Sequence, residues 1–154
     1  MQLTLLFARK SLNKAYLKVK PTRSEIELFK KNLIGLPDGL DESESEEHNK
    51  NDLGDFLKNT FYHPKFYINT KDRTDLVIHN GPDAKSFAGV LIEAKKPSNK
   101  TEMIQRDNLN AKAFHELILY YLRERITNHN LEIKHLVVTN IYEWYVSNQN
   151  PEGV

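Results

Sequence analysis

The sequence predicts an α/β protein in which helices sandwich one mixed β-sheet. Three observations point there. Two apolar runs of strand length, Leu76 to Ile78 and Phe87 to Ile92, flank an Asn80-Gly81-Pro82 turn and read as a hairpin. A stretch with helical apolar spacing follows, from about Asn108 to Ile126, with Phe114, Leu117, Ile118, Tyr121 and Leu122 on one face. Then comes a third apolar run, Leu136-Val137-Val138, typical of a strand buried on both faces. A helix crossing between strands of one sheet makes those strands parallel, so the sheet is mixed and has a helical layer on each side.

The remaining elements follow in chain order. Residues 8–19 and 23–36 each carry helical spacing. In the second, Ile26, Phe29, Leu33 and Leu36 share a face, Thr22 or Ser24 can cap, and Pro37-Asp38-Gly39 stops the helix. Together they are expected as an N-terminal helical extension, residues 1–40, packed on a core of residues 41–154 within one domain. Leu53, Phe56, Leu57 and Phe61 form the stripe of a third helix. Ser43 or Ser45 can cap it, Glu46 and Glu47 suit the dipole of its first turn, and His63-Pro64 ends it. Phe66 to Ile68 is a short strand before the Lys71-Asp72-Arg73 turn. Asn128 to Asn130 ends the long helix, and strands are expected over Ile133 to Thr139 and Ile141 to Val146, with a loop-like tail from Ser147.

Composition narrows the class. With 39% hydrophobic and 28% charged residues in 154, the chain suits a soluble globular domain with a sizeable core. No apolar run approaches the roughly 20 residues that span a bilayer, and the opening MQLTLLFARK lacks the features of a signal peptide. Zero cysteines exclude a disulfide framework and a cysteine zinc site, in keeping with a cytoplasmic setting. The net charge of +1 decides nothing about nucleic acid. Its distribution says more, with eight Lys/Arg against three acids in residues 1–40 and seven acids against one lysine in residues 41–55. The basic arm could contact phosphates or form a solvated helix face.

The chemistry concentrates at the hairpin. Alternation puts Glu93 and Lys95 on one face, with Val90, Ile92 and Ala94 on the other. A carboxylate and an ammonium at the end of a buried strand are costly unless something uses them. Asp75 comes alongside from the first strand. Two carboxylates and a lysine around one point suit Mg²⁺-assisted phosphodiester hydrolysis, because Mg²⁺ takes oxygen ligands and keeps several waters. Asp75, Glu93 and the Ala94 carbonyl would be the ligands. Lys95 would orient or deprotonate the attacking water and offset developing charge. The competing reading is that these charges mark where a sheet reaches solvent.

Other residues could join them. Asn108, Lys112, Glu116 and Tyr120 recur every four residues, a stripe that could face the carboxylates or DNA, or be a solvent-facing row with a Lys112–Glu116 pair. Glu46 or Glu47 could add a carboxylate, or simply suit a first helical turn. His79 is a candidate substrate contact, whereas His129 and His135 lack metal-ligand spacing. The absence of a Gly-rich phosphate loop and of a Gly-x-Ser-x-Gly elbow argues against a nucleotide-driven motor and a serine hydrolase.

Asp75, seventeen residues, then Glu93-Ala94-Lys95 resembles the PD-(D/E)XK nuclease superfamily. The strings FLKNTFY, YINTKDRTDLVIHNG, GVLIEAKKPSNKTEM, LNAKAFHELILYYLRER and VVTNIYEWYV are together similar to the N-terminal endonuclease domain of type IIG (Eco57I-like) restriction–modification enzymes. The resemblance covers roughly residues 43–146, and NKAYLKVKP before it looks similar too. It implies the PD-(D/E)XK fold and a type II site-specific deoxyribonuclease that leaves 5′-phosphate and 3′-hydroxyl ends. Asp75, Glu93 and Lys95 would be catalytic. Asp75, Glu93, the Ala94 carbonyl and Glu47 would hold Mg²⁺, with Mn²⁺ able to substitute. Lys112, Glu116 and Tyr120 would face the DNA. Glu116-Leu-Ile-Leu-Tyr120 is the nearest match to the superfamily's Gln-x-x-x-Tyr element, and Thr74 stands where its name has proline.

The implied partners are double-stranded DNA, the methyltransferase and target-recognition domains of the same polypeptide, and a transient second copy during cleavage, in a bacterial cytoplasm without a membrane. S-adenosylmethionine is expected only in the parent enzyme's methyltransferase, so the chain reads as an excised domain or a truncated gene product. Two alternatives stay open: a catalytically silent DNA-binding or assembly module, and a stand-alone repair nuclease, both on the same fold.

Overall fold

The five strands lie side by side in chain order: β1 (Ile68–Lys71), β2 (Thr74–His79), β3 (Ala88–Ala94), β4 (His135–Thr139) and β5 (Trp144–Asn148). All neighbours are antiparallel except β3 and β4, which are parallel. That one parallel pair is joined by the long helix α4 (Lys112–Ile126), the crossover such a pair requires. The architecture is thus α/β with a five-stranded mixed sheet. The computed structural model describes residues 5–38, 45–71 and 73–148. The Ser43 cap, Gly39, Asp72 and the tail beyond residue 148 fall outside them.

Strand alternation builds two cores. On one face Val77, Leu91, Leu136 and Val138 pack against Ala113 and Leu117 of α4. On the other, Leu76, Ile78, Ile92, Ala94 and Val137 pack against Leu53, Phe56 and Leu57 of helix α3 (Glu46–Leu57). Gly54 lets α3 lie this close, since a Cβ there would stand 3.2 Å from Leu76. Ser45 is the cap of α3, accepting the His48 N–H at 3.2 Å. A π-helical turn, Lys58–Tyr62, prolongs α3. Helix α2 (Arg23–Asp38) opens on a capping box, in which Thr22 and Glu25 each accept the other's backbone N–H. It lays Phe29 edge-on to Phe56 and contributes Leu36 to the α3-side core.

Several expected boundaries are corrected. The helix over residues 8–19 is broken into one turn, α1 (Ala8–Ser11), and a 3₁₀ turn (Tyr16–Lys18). Between them the Asn13 side chain accepts the Ala15 N–H at 2.9 Å, and residues 5–20 are exposed throughout, so no packed face supports a helix that short. Helix α4 begins at Lys112 rather than near Asn108, because Gln105 and Asn108 exchange backbone hydrogen bonds in a turn and Ala111 is extended. β5 runs from Trp144 to Asn148 rather than from Ile141 to Val146, so Ser147 is paired strand and not tail. Ile141 has φ +78°, and the Thr139 hydroxyl ties the turn by accepting its N–H and donating to the Glu143 carbonyl. β1 likewise starts at Ile68 rather than Phe66, and β4 at His135 rather than Ile133. Among the described residues no helix is long and apolar enough to cross a membrane.

Candidate active site

The register of the β2–β3 pair, Leu76 against Ile92, sets Asp75 at the start of β2 beside Glu93 near the end of β3. Both project to the α4 side of the sheet by strand alternation. Asp75 Oδ2 accepts the Ala94 backbone N–H at 2.8 Å, which fixes the carboxylate against the strand end. Lys95, two residues beyond Glu93, returns to the same face, and its Nζ lies 2.7 Å from Glu93 Oε1. The Lys95 N–H donates to the Thr139 carbonyl at 2.8 Å, continuing the parallel pairing with β4. All three residues are buried, at 9% exposure for Asp75, 2% for Glu93 and 6% for Lys95. Glu93 Oε2 is buried with no hydrogen-bond partner.

Helix α4 closes the site from above. Glu116 Oε2 accepts from Lys95 Nζ at 2.8 Å, and Glu102 Oε2, in the loop before α4, stands 3.7 Å from the same ammonium. Lys112 pairs with Glu102 Oε1 at 2.5 Å and lies 3.8 Å from Glu116 Oε1. Of the expected stripe, then, Glu116 reaches the cluster and Lys112 joins through Glu102 and Glu116. Tyr120 lies close enough for the acids to act on it. Asn108 belongs to the preceding turn and drops out.

Helix α3 contributes a residue that sequence reasoning missed. Lys50 reaches from the opposite layer to put its Nζ 3.0 Å from Asp75 Oδ1 and 2.7 Å from Glu47 Oε2. Glu47, whose side chain is 63% exposed, pairs with Lys50 and is linked to Asp75 only through this ammonium. Its expected role as a direct ligand gains no contact here. His79 is also reassigned. It is buried, with Nδ1 bonded to the Ser86 carbonyl at 2.6 Å and Nε2 to Asn69 Oδ1 at 2.8 Å, so it fastens the hairpin and faces no substrate.

The electrostatics follow from crowding acids in a dry place. Burial, then the neighbouring Asp75 charge, push Glu93 up to about 8 against the pull of Lys95, so without a further cation Glu93 is mostly protonated at neutral pH. Burial works against charge on Lys95, but its bonds to Glu116 and Glu93 outweigh it and hold the ammonium well above the ordinary lysine value. Glu116 is also penalised by burial, yet its bonds to Lys95 and Glu93 keep it below the usual carboxylate value. Burial and then Glu93, Glu116 and Asp75 raise the Tyr120 phenol. Lys50, though partly desolvated, is kept charged by Glu47 and Asp75.

No group of three or more His, Asp or Glu side chains stands close enough to hold a metal ion among the described residues. Lys50 and Lys95 lie against the two central carboxylates, Asp75 and Glu93. A divalent ion still fits the chemistry of the set. Mg²⁺ needs only one or two carboxylates, and Glu93, paired with Lys95 through Oε1, leaves Oε2 as a buried acceptor with no hydrogen-bond partner. Beside the site, at the same end of β4, a groove of about 310 Å³ is lined by Lys100, Gln105, Arg106, Asn140 and Glu143, with Met103 and Ile104 at its floor.

Fold and site together define an α/β protein with a buried acid–lysine cluster where two neighbouring strands of a mixed sheet meet. By sequence the chain belongs to the family described as a domain of unknown function (DUF7149), whose model matches residues 6–151. No curated protein and no solved structure matches the chain.

Proposed function

We propose that this chain is a Mg²⁺-dependent DNA endonuclease domain with the PD-(D/E)XK fold, similar to the cleavage domain of type IIG restriction–modification enzymes. It would hydrolyse DNA phosphodiesters to 5′-phosphate and 3′-hydroxyl ends, with sequence choice and methylation made by other parts of the same polypeptide. The observation that carries the reading is the buried, unpartnered Glu93 oxygen near Asp75, with Lys95 held charged against it. Such an arrangement destabilises the resting protein, as a site kept for charge stabilisation does.

Asp75, Glu93 and the Ala94 carbonyl would hold the ion. When bound, it supplies a Lewis acid for a phosphate oxygen and an acidified water. Lys95 has two conceivable roles, and its raised pKa favours one. An ammonium gripped by Glu93 and Glu116 is a poor base, so Lys95 acts as a charged donor that orients water and offsets phosphorane charge. Glu116 positions that ammonium. Lys112, exposed above the cluster, is suited to a phosphate contact.

The test is cleavage of supercoiled plasmid in Mg²⁺ or Mn²⁺. Nicking or linearisation is expected, abolished by EDTA and by Glu93→Gln. A second reading, a silent DNA-binding module on this fold, is favoured by one feature: each central carboxylate already has its own ammonium. DNA binding with neither cleavage nor Mn²⁺ uptake would select it.

A further inference from the structure

Asp75 and Glu93 are served by different ammonium groups, and the two are held unequally. Lys95 sits among three carboxylates, Glu93, Glu116 and Glu102, at the rigid end of β3. Lys50 has two partners, Asp75 Oδ1 at 3.0 Å and Glu47 Oε2 at 2.7 Å. Glu47 is its neighbour one helical turn back and lies at the surface. Lys50 can therefore leave Asp75 without giving up its other salt bridge, by swinging its flexible stem outward with Glu47. Lys95 has no comparable exit. Leaving Asp75 unpaired in the resting protein would bury a bare carboxylate beside Glu93, so some cation is needed there when no metal is bound.

We infer that Lys50 is a positioning residue that fills the cation place at Asp75 in the metal-free protein and is displaced by the divalent ion. This rests on the metal site proposed above. Lys50 then has two effects. It holds Asp75 oriented and tied to α3, and it weakens metal binding by competing for Oδ1. An ammonium 3.0 Å from Oδ1 occupies the place of a bound cation and repels one, so removing it should tighten divalent binding about tenfold. Lys50 being retained on Glu47 also carries a basic group from beside the metal to the surface, on the α3 side of the strand ends.

Calorimetric titration of Mn²⁺ into the wild-type chain, Lys50→Met and Lys50→Arg tests this. The Met variant should bind about tenfold tighter and the Arg variant no tighter than wild type. A second measurement needs no variant. Acetylation of lysines with acetic anhydride, read by mass spectrometry with Lys30 as reference, should show Lys50 several-fold more reactive in saturating Mn²⁺. If wild type binds Mn²⁺ but Lys50→Met binds no tighter and Lys50 reactivity stays constant, Lys50 is not a competitor and the inference fails, while the metal site stands. If no form binds Mn²⁺, the metal site itself fails and the inference falls with it. Should Lys50→Met not fold, the wild-type labelling result decides alone.

Discussion

The Asp75 carboxylate accepts the backbone N–H of Ala94 at 2.8 Å, so the first residues of one strand are locked to the last of its neighbour by a side chain. This bond makes Asp75 part of the sheet as well as part of the site. Asp75→Asn keeps an acceptor for that N–H, whereas Asp75→Ala leaves it without one and Lys50 with Glu47 alone. The Ala variant should lose about 1–3 kcal/mol more stability than the Asn variant in urea denaturation, although both lose divalent binding. Equal stability of the two would mean the Ala94 bond contributes nothing.

Glu93 predicts an unusual pH dependence. Its folded value, about 8, lies above its ordinary value of 4.5, so between those limits the folded chain holds a proton that the unfolded chain releases. Folding stability from this group is therefore greatest below about pH 4.5 and falls as pH rises toward 8. Glu93→Gln removes the penalty, keeping an acceptor for Lys95 and gaining a donor for Glu116. It should stabilise the chain by about 1–3 kcal/mol at pH 8.5, or roughly 3–10 °C in Tm, with little gain at pH 5. Thermal melts across pH check this, and a gain over wild type no larger at pH 8.5 than at pH 5 would refute the raised value of Glu93.

Lys95 carries the opposite risk. Its removal leaves Glu93 and Glu116 facing each other without the ammonium between them. Lys95→Ala should cost about 3–5 kcal/mol at neutral pH and reduce cleavage by a factor of about 100 or more. The stability loss should shrink on acidification, when the acids protonate. Denaturation at pH 7 and pH 4.5 beside plasmid assays separates the two effects.

A second ion pair, outside the acid–lysine cluster, serves as a control. Glu124 accepts from Lys71 at 2.6 Å, from Asn128 at 2.7 Å and from Asn130 at 3.1 Å, which clamps the end of α4 to β1. Burial opposes its charge, but Lys71, Asn130 and Asn128 together hold it below the ordinary value. A depressed carboxylate stabilises the fold above that ordinary value, 4.5, and the contribution is lost as pH falls through the folded value. Glu124→Gln should cost about 1–3 kcal/mol at pH 7, less at pH 3.5, and leave Mn²⁺ affinity unchanged.

Much of this is legible in the sequence because short-range rules decide it. Leu76-Val77-Ile78, the Asn80-Gly81 turn and the run up to Ile92 fix a hairpin, and a period of two then puts Glu93 and Lys95 on one face. The crossover helix fixes the parallel pair. What is not legible depends on contacts between distant segments. Lys50 is one charge in an acidic helix until α3 packs on β2 and aims it at Asp75. Glu102 sits in a loop whose path no local rule sets. Asn108 looked helical by spacing alone, but spacing cannot see the Gln105–Asn108 turn that delays α4. His79 has the right face for substrate, yet its partners Asn69 and Ser86 come from β1 and the hairpin turn.

The most direct test is uptake of Mn²⁺ followed by the loss of its free paramagnetic resonance signal, for wild type, Asp75→Asn and Glu93→Gln. Wild type should take up about one ion per chain, and either substitution should abolish that uptake. Uptake unchanged by both substitutions, or none by wild type, would contradict the proposed metal site.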